Sequence, residues 1–167
     1  LPFPAKLLKW NGYEDLPSDA MDGVNAIVHL MGEPVADGRW TEDRKKSILA
    51  SRVISTKILK AAAIQHQVQV FVSASAIGFY GDRGDDLLTE ESSQGEGFLA
   101  DVCQKWEEQA LSDETKIRCV AVRIGVVLGK NGGALEKMKM PYEIGVGGPI
   151  GGGKQWLSWI HIEDLKG

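Results

Sequence analysis

The sequence predicts an α/β fold, a parallel sheet with helices packed on it, and three observations carry that expectation. Short runs of β-branched and small apolar residues recur at 24–30 (VNAIVHL), 68–72 (VQVFV) and 119–127 (CVAVRIGVV). Each run is almost continuously apolar, as in strands covered on both faces, rather than alternating. Segments with apolar residues at helical spacing lie between them, and strands alternating with such helices form βαβ units. Their crossovers are right-handed in nearly all cases.

The elements follow in order. Residues 24–30 read as a buried strand closed by Met31-Gly32. Thr41 is placed to cap the next helix, with Glu42 and Asp43 in its first turn, where acids favour the positive end of the helix dipole. Ile48, Leu49, Val53, Ile54, Ile58 and Leu59 give that helix its apolar stripe, and 61–63 extend it. Residues 68–72 form the second strand, with Ser73, Ala74 and Ser75 expected at its C-terminal edge. A Gly- and Asp-rich loop spans 78–86, a second helix 98–111, and a third strand 119–127. Beyond it the chain is Gly-rich over 145–153. Residues 156–162 are aromatic and read as strand, and a helix opens at 161–167. Leu1 in place of an initiating methionine and this short helical opening are read as cuts within a longer chain.

With 167 residues, 43% of them hydrophobic, the chain has enough apolar material for one globular core. A net charge of -4, with both signs mixed along the sequence, provides no basic patch for nucleic acid. No apolar run approaches the roughly 20 residues that span a bilayer, so no membrane partner is expected. Cys103 and Cys119 are too few for a disulfide framework and form no CxxC pair, which suits a reducing cytoplasm. His29, His66 and His161 show no ligand spacing, and no metal site is expected. The number of subunits stays open, a dimer included.

In an open parallel sheet, ligands bind outside the C-terminal ends of the strands. That rule selects 31–34, 73–81 and 123–129. The patterns there, with their flanks, are HLMGEP…RWTEDRK…SR, VSASAIGFYG, VRIGVVLG and GGPIGGGKQW…WIHIEDL. Taken in this order, they resemble the epimerase branch of the extended short-chain dehydrogenase/reductases, from about Trp10 to the end. The resemblance implies a Rossmann-like domain, truncated at both ends, that binds NADP(H) or NAD(H) and acts by hydride transfer on a small-molecule substrate such as a sugar nucleotide. It also implies that residues 1–167 are part of that domain, lacking the first βαβ unit with its Gly-rich loop and a C-terminal substrate domain. Without the first strand, the strand at 24–30 is expected to expose an unpaired edge, and the fragment alone is not expected to fold stably.

The same resemblance assigns the candidate site. Ser75, with Ser73 beside it, corresponds to the serine that hydrogen-bonds substrate oxygen; the other reading is two small residues that let a strand end approach a cofactor. The family's YxxxK pair is absent, and counting back from Glu107 puts Leu99 and Cys103 in its place. Neither a hydrocarbon nor a neutral thiol does that proton work. Tyr80 is the candidate acid, with Lys105 nearby, unless the Tyr-Gly pair only packs and turns. Leu30, Met31 and Gly32 would flank the adenine and ribose. Ser73, Ala74 and the run Arg123, Ile124, Gly125 and Val126 would flank the nicotinamide. Arg52 or Arg39 would face a phosphate, which a guanidinium grips bidentately, or else pair with Glu42 or Asp43. The glycines of 147–153 could gather N–H groups on an anion or cover the site as a loop. They do not form an ATP-type phosphate loop, because Gln155 follows Gly153-Lys154 where Ser or Thr is required. His161 and Asp164 are read as structural, with Asp164 capping the last helix. A protein that binds NADP(H) without turnover, a regulator or interaction partner, is the alternative to an enzyme.

Overall fold

The computed structural model describes residues 4–112, 117–130, 132–149 and 152–167. Strand β1 (Ala26–His29) leads into helix α1 (Glu42–Gln65), then strand β2 (Val70–Ala76), a 3-10 turn (Ile77–Tyr80) and helix α2 (Phe98–Leu111). Strand β3 (Arg118–Ile124) completes a parallel sheet of order β1-β2-β3. A second, two-stranded parallel sheet joins β4 (Val126–Leu128) to β5 (Trp159–His161), with α3 (Gly133–Glu143) between them and α4 (Ile162–Lys166) after.

Each helix forms for local reasons. The Thr41 side chain accepts the Arg44 N–H at 3.2 Å, satisfying one of the donors a helix start leaves open, and Glu42 and Asp43 fill the first turn. α2 has a stripe of buried residues (Ala100, Cys103, Trp106, Glu107 and Ala110), which faces the sheet and α1. The two crossovers lead in the same direction across the sheet, so α1 and α2 pack side by side on one face. Phe71 and Ala63 are wholly buried there with Met21, Val68 and Ala110, and Leu59, Ile27 and Cys119 pack around them.

Several expected boundaries move. β1 stops at His29, so Leu30, Met31 and Gly32 belong to the loop. The second strand starts at Val70 and runs to Ala76, which puts Ser73 and Ser75 inside the strand rather than at its edge. The third strand breaks at Gly125, where a Cβ would come 2.9 Å from the Ser158 carbonyl. Val126 N–H donates to that same carbonyl at 2.9 Å, starting the second sheet. Helix α3 was not expected: it begins at two glycines and carries Pro141, features that argue against a helix in sequence. His161, not Asp164, caps α4, its ring nitrogen accepting the Glu163 N–H at 3.3 Å.

Among the described residues no helix is long and apolar enough to cross a membrane. Among the described residues β1 pairs with β2 alone, and Val28, on the face away from α1 and α2, is 64% exposed, as is Leu30 just beyond the strand at 68%.

Candidate active site

Side chains alternate along β2, and the alternation decides which residues meet. Phe71, Ser73 and Ser75 point toward the helices, and the register sets Ser75 beside Arg123 of β3. Ser75 is buried and donates its hydroxyl to Glu107 Oε1 at 2.5 Å. Glu107, on α2 and 6% exposed, also receives a two-pronged ion pair. Arg123 Nε reaches Oε1 at 2.9 Å and another guanidinium nitrogen reaches Oε2 at 2.8 Å. The remaining guanidinium nitrogen donates to the Tyr80 phenol oxygen at 3.0 Å and to the Glu90 carbonyl at 3.1 Å. The guanidinium also stacks on Phe79, 3.5 Å from its ring centroid. The hydrogen bonds to Glu107 hold Arg123 above its ordinary pKa, against the desolvation that opposes them, and Tyr80 adds to the effect. Arg123 is therefore a fixed cation linking α2, β3 and the 3-10 turn.

Tyr80 is thus paired with Arg123 rather than with Lys105, which is exposed on α2. Because the phenol oxygen accepts from Arg123, its own proton remains available to a partner on the open side. That side is a cavity of about 1040 Å³ bordered by Tyr80, Gly78, Leu99, Phe98, Trp40 and Trp156. Trp156 reaches it from the C-terminal segment, its indole N–H donating to Asp85 at 2.7 Å. Leu99 and Cys103 both lie beneath the turn at Gly78. Burial pushes the Cys103 thiol up, outweighing the main-chain hydrogen bond at Ala76, so it stays neutral. Ser73 is fully buried and donates to the Ala74 carbonyl at 3.0 Å.

The loop after β1 is held by Glu33, which sequence reasoning passed over. Its carboxylate pairs with Arg44 and accepts from Ser47 at 2.5 Å, and its N–H donates to Ser51 Oγ at 3.1 Å. Arg52 donates to the Glu33 and Ile48 carbonyls, both at 3.0 Å, and lies 5.2 Å from the Trp106 ring centroid. Its guanidinium packs on Gly32, where a Cβ would come 2.9 Å from Cζ, so the glycine makes room for Arg52. Arg39 is exposed in the loop before α1. Glu42 and Asp43 pair with Lys45 and Lys46, not with Arg39 or Arg52. Ile150 and Gly151 of the glycine-rich 147–153 run lie outside the described residues.

Glu107 was also missed as a site residue, although a signal existed. It falls on the same helical stripe as Ala100, Cys103 and Ala110, and a carboxylate on an apolar stripe needs a buried partner. Behind the site, His29 is 2% exposed, and burial pushes its pKa down to about 4. The Ser55 hydroxyl donates to the Ser51 carbonyl at 2.6 Å, which leaves its oxygen to accept from His29 Nε2 at 3.2 Å. His29 is a core histidine.

A parallel sheet with helices packed on it and loops gathered at the strands' carboxyl ends places the chain among the Rossmann-like α/β proteins. The model of the NAD dependent epimerase/dehydratase family matches residues 9–166, and the chain belongs to that family. It is 40% identical over 151 residues to the chloroplastic SDR39U1 homolog of Arabidopsis thaliana, an epimerase family protein, covering 88% of this chain and 43% of the relative. The crystal structure of a nucleoside-diphosphate sugar epimerase from Corynebacterium glutamicum superposes with a TM-score of 0.79 at 40% identity, over 94% of this chain and 33% of that one. The human epimerase family protein SDR39U1, solved with NADPH, gives 0.78 at 36%, over 92% and 52%. The chain spans about half the length of the curated relatives it matches.

Proposed function

We propose that this chain contributes to an NADP(H)-dependent oxidoreductase, with NAD(H) as the alternative cofactor, acting on a nucleotide-sugar substrate. The carrying observation is the Tyr80 phenol, held by the Arg123 guanidinium at the rim of a substrate-sized cavity beside the carboxyl ends of three parallel strands. The human relative solved with NADPH and the Corynebacterium relative described as a nucleoside-diphosphate sugar epimerase support the cofactor and substrate classes.

The residues at the strand ends suit a dinucleotide. Leu30 is apolar and 68% exposed, a surface for a flat ring, and main-chain groups of Met31 and Gly32 lie beside it. On this reading Leu30, Met31 and Gly32 flank the adenosine side, with Arg52 holding their loop in shape. Ser73, Ala74, Arg123, Ile124, Gly125 and Val126 flank the nicotinamide side. The dinucleotide supplies the hydride when bound. Tyr80 exchanges the proton at the substrate oxygen, and the Arg123 hydrogen bond stabilises the charge left on the phenol oxygen. Ser75 has its proton directed to Glu107, so toward substrate it offers lone pairs only and acts mainly by fixing Glu107, and through it Arg123.

A second reading, a protein that binds NADP(H) without turnover, is favoured by Leu99 and the neutral Cys103 where the family's Tyr/Lys pair would stand. Both readings are tested by titrating NADPH and NADH into the intact protein, following energy transfer from its tryptophans, and then assaying NADPH oxidation with 4-keto and 6-aldehydo nucleotide sugars. Turnover that is lost in Tyr80→Phe while NADPH still binds supports the enzyme. NADPH binding with no oxidation supports the regulator. Failure to bind either dinucleotide overturns both.

A further inference from the structure

Near the C-terminal end of α2, a buried amine and a thiol are pressed together. Lys60 of α1 is 4% exposed and donates to the Ala110 carbonyl at 2.9 Å. Its ammonium lies 5.7 Å from the Phe71 ring centroid. Among the described residues no carboxylate pairs with it; its other partner is Cys119 Sγ of β3, at 2.6 Å. An ordinary N–H···O bond is about 2.9 Å long, and sulfur is the larger atom. The separation is therefore too short for a relaxed N–H···S contact, yet too long for a direct N–S bond. The two atoms stand close enough for a single oxygen to span them.

Cys119 is a free thiol, half-buried, and borders a cavity of about 420 Å³ with Leu111, Val120 and Glu107. A small oxidant can reach the sulfur from that cavity, while the Lys60 amine is held on its inner side. Cys103, the other free thiol, is buried, with burial acting against its ionised form.

We propose that Lys60 and Cys119 are a covalent modification site, forming an N–O–S bridge under peroxide and thereby tying α1 to β3. The Lys60 ammonium, the Cys119 thiol and two molecules of hydrogen peroxide give the bridge, three waters and a released proton. Sulfur passes through the sulfenic acid, the first step of thiol oxidation. Sulfur and nitrogen each lose two electrons, and both peroxides are reduced to water. The N–H and S–H bonds broken are replaced by one N–O and one O–S bond.

The test is to treat the intact protein with hydrogen peroxide, alkylate free thiols under denaturing conditions, digest, and measure peptide masses. The expected product is a linked pair of peptides carrying Lys60 and Cys119, heavier than their sum by one oxygen less two hydrogens. Dithiothreitol should reopen it. Lys60→Arg keeps a cation beside Cys119 but cannot form the bridge; in that variant, checked for an unchanged circular dichroism spectrum, Cys119 should proceed to terminal sulfur acids. Exposed Met140, 57% accessible, gauges the oxidant dose. The proposal is overturned if, once Met140 is oxidised, wild-type Cys119 is recovered unmodified, or as a sulfinic or sulfonic acid with Lys60 intact.

Discussion

Ser75 and Glu107 share a hydrogen bond of 2.5 Å across the interface of β2 and α2, with the serine as donor. The bond directs the serine proton to Glu107, whose carboxyl group lies between that hydroxyl and the Arg123 guanidinium. The site is thus organised around a buried carboxylate on a helix rather than around a serine at a strand end.

Replacing that carboxylate tests the arrangement. Glu107→Gln leaves the Arg123 guanidinium partly buried without its counter-charge, and breaking such a pair by removing one partner costs about 3 kcal/mol. The urea midpoint should fall accordingly. Ser75→Ala should cost less, about 1 kcal/mol, because Arg123 still satisfies the carboxylate.

His29 sets a pH dependence. Its folded-state pKa is about 4, below the ordinary 6.5, because burial disfavours the charged ring. The unfolded chain therefore binds the proton first as pH falls. The contribution of neutral His29 is fully present above 6.5 and is lost progressively between 6.5 and about 4, then levels off. The difference corresponds to about 3 kcal/mol. Denaturation midpoints measured across that window should show the slope, and His29→Asn should flatten it.

Gly95 admits no side chain. Its Cβ would overlap the Tyr80 carbonyl, a backbone group that cannot rotate aside, and its N–H donates to the Phe79 carbonyl at 3.0 Å. Gly95→Ala should destabilise the protein by about 2 kcal/mol, the scale of overpacking. It should also speed amide exchange in the 77–81 turn, detectable by hydrogen–deuterium exchange.

Thr41→Ala removes the cap of α1 and should lower stability by about 1 kcal/mol. Thr41→Ser, which keeps the hydroxyl, should recover most of the loss in thermal melts.

The sequence reads clearly where one period dominates. α2 carries its apolar stripe with turn residues on both sides, so 98–111 could be read from spacing alone. β2 could not be bounded or oriented in the same way. Its Ser73-Ala74-Ser75-Ala76 run has no large apolar residue to mark one face, and only pairing with β3 turns Ser75 toward Glu107. The break at Gly125 was hidden inside a continuous apolar stretch, and α3 was hidden by Gly132, Gly133 and Pro141. Arg52 was a phosphate candidate, with Arg39, from its place in the family pattern and the chemistry of a guanidinium. Its contacts with the Ile48 and Glu33 carbonyls depend on a loop conformation that spacing does not encode.

The joint at Gly125 separates two mechanical duties. β3 ends just before it, with Arg123 locked onto Glu107; β4 begins just after it, paired to the strand that follows Trp156 and Ser158. A side chain at this joint would collide with the Ser158 carbonyl, so the missing Cβ is what lets the C-terminal segment close against it. The wall of the cavity that carries Trp156 is thereby fastened to the strand that carries Arg123, so the position of that wall depends on one residue having no side chain.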